Sequence, residues 1–318
     1  MPADTAGAPG AAPLSVALVS ARVARDLDED LPPLEAALTA RGIAVHVECW
    51  DDEVNWAGYD LALLRSTWDY VERLGEFLAW AERTARVTRL ANPPVLVRWN
   101  TDKHYLIELA RAGVATIPST FLESEVQAAE GIADFSARAA GADFVVKPAV
   151  GAGSRDAQRY PPTALAAATA HALRLLGKGR SVLLQPYLES VDVAGETALI
   201  YFSGRFSHAI CKGSLLRRGA GPTEALFAPE TIAPRTPAPD ELAVGAQALE
   251  VLMRGPLKEA GGAPLYARVD LLRDAAGAPR VLEMELTEPS LFFRSAPGSA
   301  ARLAEAIDAF ARASSSHR

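Results

Sequence analysis

Near the C-terminal end the chain reads Val281-Leu282-Glu283-Met284-Glu285-Leu286-Thr287-Glu288-Pro289-Ser290-Leu291. The run is apolar enough for a β-strand, yet Glu283 and Glu285 stand two residues apart in it. Side chains alternate faces along a strand, so both carboxylates project from one face, roughly 7 Å apart by the strand rise. Like charges held there call for something positive between them. A second apolar run, Leu265 to Leu272, precedes this one, and Asp274-Ala275-Ala276-Gly277-Ala278-Pro279 joins the two as a turn. A hairpin symmetric about Ala276 and Gly277 sets Asp270 opposite Glu283, and Arg268 opposite Glu285, on the same face. Directly opposed residues have Cβ atoms about 4.5–5.5 Å apart, where like charges are destabilising. Three carboxylates therefore converge, and oxygen-rich clusters suit Mg²⁺ or Mn²⁺. A metal-free reading stays open, in which Arg268 neutralises Glu285 while Asp270 and Glu283 face water.

The rest of the chain sets the context. Its 318 residues exceed a comfortable single core, so two or three domains are expected. Hydrophobic residues make up 49% and charged residues 22%, an ordinary balance, and a net charge of −7 argues against nucleic acid or anionic membranes as main partners. No apolar run is long enough to span a bilayer. Cys49 and Cys211 lack metal-type spacing and read as thiols of a reducing cytoplasm. Residues 1–13, rich in Ala, Gly and Pro, read as a disordered tail.

Strands are expected at Leu14 to Ala21, Ile43 to Glu48 and Tyr59 to Arg65, with a helix from Pro32 to Ala40 stopped by Gly42. That order indicates a parallel α/β unit, whose ligands sit beyond the carboxyl ends of strands. Arg65-Ser66-Thr67-Trp68-Asp69-Tyr70 lies at such an end. It is either a substrate patch or a strand-to-helix loop capped by Thr67 or Asp69. A helix is expected from Thr101 to Ala112, capped by Asn100 or Thr101, then an edge strand from Ala115 to Phe121. Phe144 to Pro148 is a strand interrupted by Lys147, and a buried lysine is rare without an anionic partner. Directly after it, Gly151-Ala152-Gly153-Ser154 is a flexible loop whose backbone N–H groups can approach phosphate oxygens. Pro162 to Leu176 is helical and Val182 to Leu188 a strand. Glu196 to Phe202 and Arg205 to Cys211 flank a hairpin turn at Ser203-Gly204. Lys212 to Pro239, with five prolines, reads as a long polar loop. Helices follow from Pro239 or Asp240 to Met253 and from Ser299 to Ala311. None of the five histidines shows a pairing pattern, and none is assigned to catalysis.

In VVKPAVGAGS, LLQPYLESVDVAGE, YARVDLL and VLEMELTEPS these pieces stand in the order found in the ATP-grasp superfamily, which the chain resembles over residues 14–311. The last stretch looks like the signature of glutathione synthetases and ribosomal-protein glutamate ligases. LLRSTWDY, RWNTDKHYL and FSHAICKGSLLRRG look most like the O-ureido-D-serine cyclo-ligases of cycloserine biosynthesis. The resemblance implies an α/β (α+β) ATP-grasp fold: an N-terminal parallel α/β domain over 14–99, a small lobe over 100–183 and a C-terminal lobe with the metal site over 184–318. It also implies residue roles. Lys103 and Lys147 contact ATP phosphates, and Gly151, Gly153 and Ser154 belong to the lid loop. Gln185, Tyr187 and Leu188 hold the adenine, with main-chain groups of Tyr187 and Leu188 bonding the base. Glu196 and Asp192 hold the ribose. Asp270, Glu283 and Glu285 bind magnesium, while Arg268 and Lys212 neutralise the transferred phosphoryl group. Arg65, Ser66, Thr67, Trp68 and Asp69 face the substrate, an amino-acid-like carboxylate. Many members carry Asn where this chain has Glu285, which leaves open whether Glu285 binds metal or pairs with Arg268. Dimers are common among relatives, so a homodimer is admitted, although no apolar seam argues for one.

The implied chemistry is ATP-dependent activation of a carboxylate as an acyl phosphate, followed by attack of nitrogen to give an amide, ADP and phosphate. When both groups belong to one molecule the product is a ring. An intermolecular amino-acid or peptide ligase and a nucleotide-binding module without turnover are the competing readings.

Overall fold

A computed structural model of the chain describes residues 13–219, 221, 231–259 and 262–315. The expected tail lies almost wholly outside the described residues, as does the stretch 222–230 of the polar loop. Strand β1 (Ser15–Ser20) is central in a parallel sheet with β2 (Ala44–Cys49), β3 (Leu61–Ser66) and β4 (Arg89–Ala91), in the order β2-β1-β3-β4. Every residue of β3 is buried, which is why this strand reads as a continuous apolar run without alternation. Helix α1 (Leu31–Thr39) carries its two prolines in the first turn, and Gly42 takes the left-handed φ of +73° after it. Two further helices, α2 (Leu74–Thr84) and α3 (Pro94–Asn100), have no counterpart among the sequence expectations. Phe77 and Trp80 of α2 pack with Trp50, Trp56 and Tyr70 beneath the sheet.

The helix expected over Thr101 to Ala112 is shorter. Residues 101–104 form turns and α4 spans Tyr105–Arg111, with no side-chain cap. Asn100 ends α3 because its amide is engaged elsewhere: Nδ2 donates to the Met284 carbonyl at 2.9 Å and Oδ1 accepts from the Leu286 N–H at 2.8 Å. The Lys103 N–H donates to Ala149 O at 3.0 Å, which ties the turn to the neighbouring sheet.

That second sheet is antiparallel: β5 (Thr120–Leu122), β6 (Phe144–Pro148), β7 (Gln158–Tyr160) and β8 (Val182–Pro186), ordered β5-β8-β6-β7. Helices α5 (Glu125–Arg138) and α6 (Leu165–Leu176) cover one face, burying Phe144, Val146, Val182 and Leu184. Strand β5 is at the edge, as expected, but only its last residues pair. Thr116 instead bridges to Val281, and Pro118 between them lacks the N–H a ladder needs. Strand β8 crosses the 183/184 boundary drawn from sequence.

After the single-turn α7 (Ser190–Ala194) comes a five-stranded antiparallel sheet. It contains β9 (Glu196–Phe202), β10 (Arg205–Lys212), β11 (Ile232–Arg235), β12 (Tyr266–Arg273) and β13 (Pro279–Glu285), in the order β11-β10-β9-β12-β13. Ser203 and Gly204 both have positive φ, +48° and +75°, as a two-residue hairpin turn requires. The stretch read as one loop from Lys212 to Pro239 therefore holds a strand, β11, whose Pro234 is tolerated at the sheet edge. Helix α8 (Pro239–Arg254) packs on β12 and β13. Helix α9 (Ser299–Ser315) brings Leu303, Ala304 and Ile307 into one core with Leu31, Leu34 and Leu38 of α1, joining the first and third sheets. Among the described residues no helix is long and apolar enough to cross a membrane.

Candidate active site

The hairpin β12–β13 pairs Arg268 with Glu285 and Asp270 with Glu283, as the sequence predicts. The route to that register is different. The turn centres on Ala276: Asp274 N–H meets Ala278 O at 2.9 Å, Gly277 takes φ +80°, and Leu271 pairs with Val281. The register shifts between Asp270 and Leu271, leaving Leu282 as an extra residue that restores the pairing at the acids. The two offsets cancel where they matter.

Strand β13 is at the sheet edge, where unpaired N–H and C=O groups need partners. Residues 100–117 supply them. Ala115 O and the Ile117 N–H bond Val281, and the Tyr105 hydroxyl donates to Met284 O at 3.0 Å and accepts from its N–H at 2.8 Å. Asn100 completes the edge. The backbone carrying Glu283 and Glu285 is thus fixed on both sides.

Asp270, Glu283 and Glu285 each present an oxygen within 4.8 Å of the others. Arg268 grips two of them: Nε and Nη2 donate to Asp270 at 2.9 and 2.8 Å, Nη2 also meets Glu285, and Nη1 reaches Ser290 O at 3.1 Å. Lys212 lies 2.8 Å from Asp270 Oδ2 and pairs with Glu196. Gly195, at φ +70°, makes that pairing feasible, because a Cβ there would lie 2.4 Å from Cys211 Sγ and 2.8 Å from Lys212 O. Lys103 Nζ stands 3.6 Å from Glu283 and donates to Gly151 O at 2.9 Å. Burial opposes ionisation of Asp270, but Arg268 and Lys212 more than offset it and hold that carboxyl far below the usual carboxylate range. Glu283 is likewise held down against its burial by Lys103 and Lys147. Burial pushes Glu285 up to about 7 against the pull of Arg268, with Asp270 and Glu283 adding to the rise. It pushes Glu196 up to about 8 and lowers Lys147 to about 8.

The positive charge that the neighbouring acids require is therefore shared. Arg268 lies against Glu285, Lys103 and Lys147 face Glu283, and the three acids still keep oxygens in one group. Among the described residues of the acid group, four acids (Glu196, Asp270, Glu283, Glu285) stand against four bases (Lys103, Lys147, Lys212, Arg268), so this group leaves no cationic surplus for a triphosphate. Its oxygen-rich donor set fits hard divalent cations that would supply the missing charge.

These groups border a cavity of about 410 Å³. Lys103, Lys147, Gly151, Gly153, Ser154, Gln185, Tyr187, Leu188, Glu196, Lys212, Arg268, Glu283 and Glu285 all line it, with Asp270 fully buried beneath them. Two expectations are corrected, those for Asp192 and for part of the patch that begins at Arg65. Asp192 is not among the lining residues: on one-turn α7 it accepts from the Tyr187 hydroxyl at 2.6 Å and from Arg159 at 3.2 Å. The Tyr187 N–H is committed to Asp143 O at 2.9 Å, which narrows the main-chain expectation for that residue to its carbonyl. Of the patch Arg65 to Tyr70, Trp68 and Tyr70 line the cavity and the other four residues do not. Arg65 is buried 3.9 Å from Asp28 and 3.7 Å from Asp30, Ser66 bonds Ser20 and Thr67 is buried. Asp69 bonds Trp50 Nε1 and Arg73, and neither Thr67 nor Asp69 caps a helix. β3 is covered on both faces, so its polar end turns inward.

The sequence reading missed Asp28 and Glu288, both at the cavity wall. Glu288 alone carried a signal, an acid three residues beyond Glu285 in the same run. Burial and the nearby Glu285 push it up to about 8, despite the Tyr70 hydroxyl.

Comparison with known proteins decides the family. Residues 16–92 match the profile of the N-terminal domain of D-cycloserine synthetase DcsG. The cycloserine biosynthesis protein DcsG of Streptomyces lavendulae is 42% identical over 301 residues, 92% of this chain and 97% of that protein. The chain belongs to the D-cycloserine synthetase family of ATP-grasp ligases. The crystal structure of D-cycloserine synthetase DcsG matches at a TM-score of 0.87 and 41% identity, over 93% of this chain and 99% of that one. The ATP-grasp ligase PsnB, at 18% identity, shares the fold with a TM-score of 0.62 over 93% of this chain and 99% of that one. As a member of this family the chain is an enzyme that forms C–N bonds.

Proposed function

We propose that this ligase uses ATP to activate the carboxylate of an amino-acid-like substrate as an acyl phosphate and closes a ring onto a nitrogen of the same molecule, as in cycloserine biosynthesis. A carboxylate oxygen attacks the γ-phosphorus, the bond to the β-phosphate oxygen breaks, and ADP leaves. The nitrogen then attacks the acyl carbon, the carbon–oxygen bond to phosphate breaks, and the nitrogen's proton passes to the departing phosphate or to solvent. The observation that carries the reading is the juxtaposition of the three-carboxylate group with Lys103, Lys147, Lys212 and Arg268 in one cavity, in a chain 42% identical to a cycloserine biosynthesis protein.

Asp270, Glu283 and Glu285 would hold magnesium, which supplies positive charge to the phosphates. Lys103 and Lys147 take phosphate oxygens, and the loop Gly151 to Ser154 closes over them. Gln185, the Tyr187 carbonyl and the Leu188 N–H take the adenine, and Glu196 the ribose. The residues after β10, of which Gly213, Leu215 and Leu216 already line the cavity, exclude water that would hydrolyse the acyl phosphate. The small lobe ends after Pro186, with β8. The cytoplasm, which supplies ATP and magnesium, is the proposed location.

Phosphate release with O-ureido-D-serine and ATP tests the reading, together with product mass. A product lighter than the substrate by one water, or by one water and HNCO once the ring nitrogen has lost its carbamoyl group, supports ring closure; a product joining two substrate molecules would replace it with intermolecular ligation. Glu283→Gln is expected to reduce turnover at least about 100-fold with melting temperature little changed. Retained activity would remove Glu283 from the metal group.

A further inference from the structure

Seven acids line the cavity, and among the described residues six have a basic partner within 4 Å. Glu283 has Lys103, Glu285 has Arg268, Glu196 has Lys212, Asp28 and Asp30 share Arg65, and Glu29 has Arg294. Glu288 has none, although it is only 7% exposed. The side chain facing it is the neutral Tyr70 hydroxyl. Its backbone is pinned, since Trp68 Nε1 donates to Glu288 O at 3.1 Å and Arg268 Nη1 holds Ser290 O at 3.1 Å. Burial makes ionisation of Glu288 costly in the empty cavity, because Lys103 and Arg268, the bases that pull the other way, are engaged with Glu283, Asp270 and Glu285. A cation brought by a ligand removes that cost.

We propose that Glu288, with the Tyr70 hydroxyl beside it, binds the ammonium group of the substrate, so that the enzyme accepts a free amino acid and rejects its des-amino or N-acylated counterpart. This rests on the ligase reading above, because it is the reacting carboxylate that must lie at the phosphate end. In an α-amino acid the ammonium is on the carbon next to that carboxylate. Glu288, three residues beyond Glu285, lies in the bend that directly follows the strand carrying the acid group. Trp68 and Phe292, which also line the cavity, supply apolar walls against which a single fixed carboxylate selects for charge. Glu288 is thereby a specificity-determining residue.

Binding tests this without relying on turnover. O-ureido-D-serine and its des-amino analogue, 3-(ureidooxy)propanoic acid, are titrated calorimetrically into enzyme saturated with a non-hydrolysable ATP analogue and magnesium. The native enzyme is expected to bind the amino compound about 10- to 100-fold more tightly. Glu288→Gln is expected to erase that preference while leaving the affinity for the ATP analogue unchanged, and Glu288→Asp to restore part of it. The unchanged nucleotide affinity shows that the variant is folded. Equal affinities in the native enzyme, or a preference that survives in Glu288→Gln, would overturn the assignment. A preserved preference in native enzyme that releases no phosphate would instead sink the ligase reading and leave the ammonium site standing.

Discussion

Arg268 holds Asp270 and Glu285 through one guanidinium, and this fork decides how the acid group behaves. A lysine in its place could not offer planar donors to two carboxylates at once. His171 shows the same sensitivity to burial away from the cavity. It lies 2% exposed on α6, with Nδ1 3.0 Å from the Tyr160 hydroxyl. Burial lowers its pKa to about 4, from 6.5 in the unfolded chain. The unfolded chain therefore takes up the proton first, and stability falls as pH drops from about 6.5 to about 4. The loss is at most about 3 kcal/mol. Urea unfolding at pH 7 and pH 4.5 measures it, and His171→Gln is expected to show a shallower decline. An identical decline in the variant would remove His171 as the cause.

At the scale of elements, β13 depends on a loop nearly two hundred residues away in sequence. Asn100 and Tyr105 satisfy the edge of the strand that carries Glu283 and Glu285. Asn100→Ala leaves the Leu286 N–H and the Met284 carbonyl without those bonds, which costs about 2 kcal/mol or more for buried groups. Chemical denaturation should register that loss, and kcat should fall as the strand frays, with Tyr105→Phe giving a smaller effect. Unchanged stability in Asn100→Ala would mean that water replaces the amide. The hairpin register was legible because strand alternation and turn chemistry are local. Its bulge at Leu282 was not, because nothing in the composition of Val281-Leu282-Glu283 distinguishes a bulged strand from a regular one. The strand-lysine and glycine-loop order was legible for the same local reason. The split between α3 and α4 was hidden, since Asn100 reads as a helix cap until its partners on β13 are known.

Across the whole molecule, the loop after β10 crosses from the third sheet to the second. Arg218 donates to both oxygens of Asp143, at 2.6 and 2.8 Å, and Asp143 also holds Arg159 at 2.5 Å. Burial works against ionisation of Asp143, but Arg218 and Arg159 hold it below the usual range. Arg218 is exposed, so the clasp adds little to stability and acts on the position of the loop. Arg218→Ala should leave the melting temperature nearly unchanged while raising the phosphate released per product formed, as water reaches the acyl phosphate. A ratio equal to that of the native enzyme would show that the loop closes without this contact.

The sequence by itself determined the strands that border the site, the acids that share a face and the lysine-then-glycine-loop arrangement, because each is written within a few consecutive residues. Only the tertiary structure decided which cation each acid meets. It turned Arg65 to Thr67 and Asp69 away from the cavity, and it brought Tyr70, Trp68 and Glu288 together at its wall. Those outcomes depend on contacts between segments some two hundred residues apart, such as Trp68 with Glu288. Burial on both faces of a sheet, rather than residue type, fixes which way a polar side chain points.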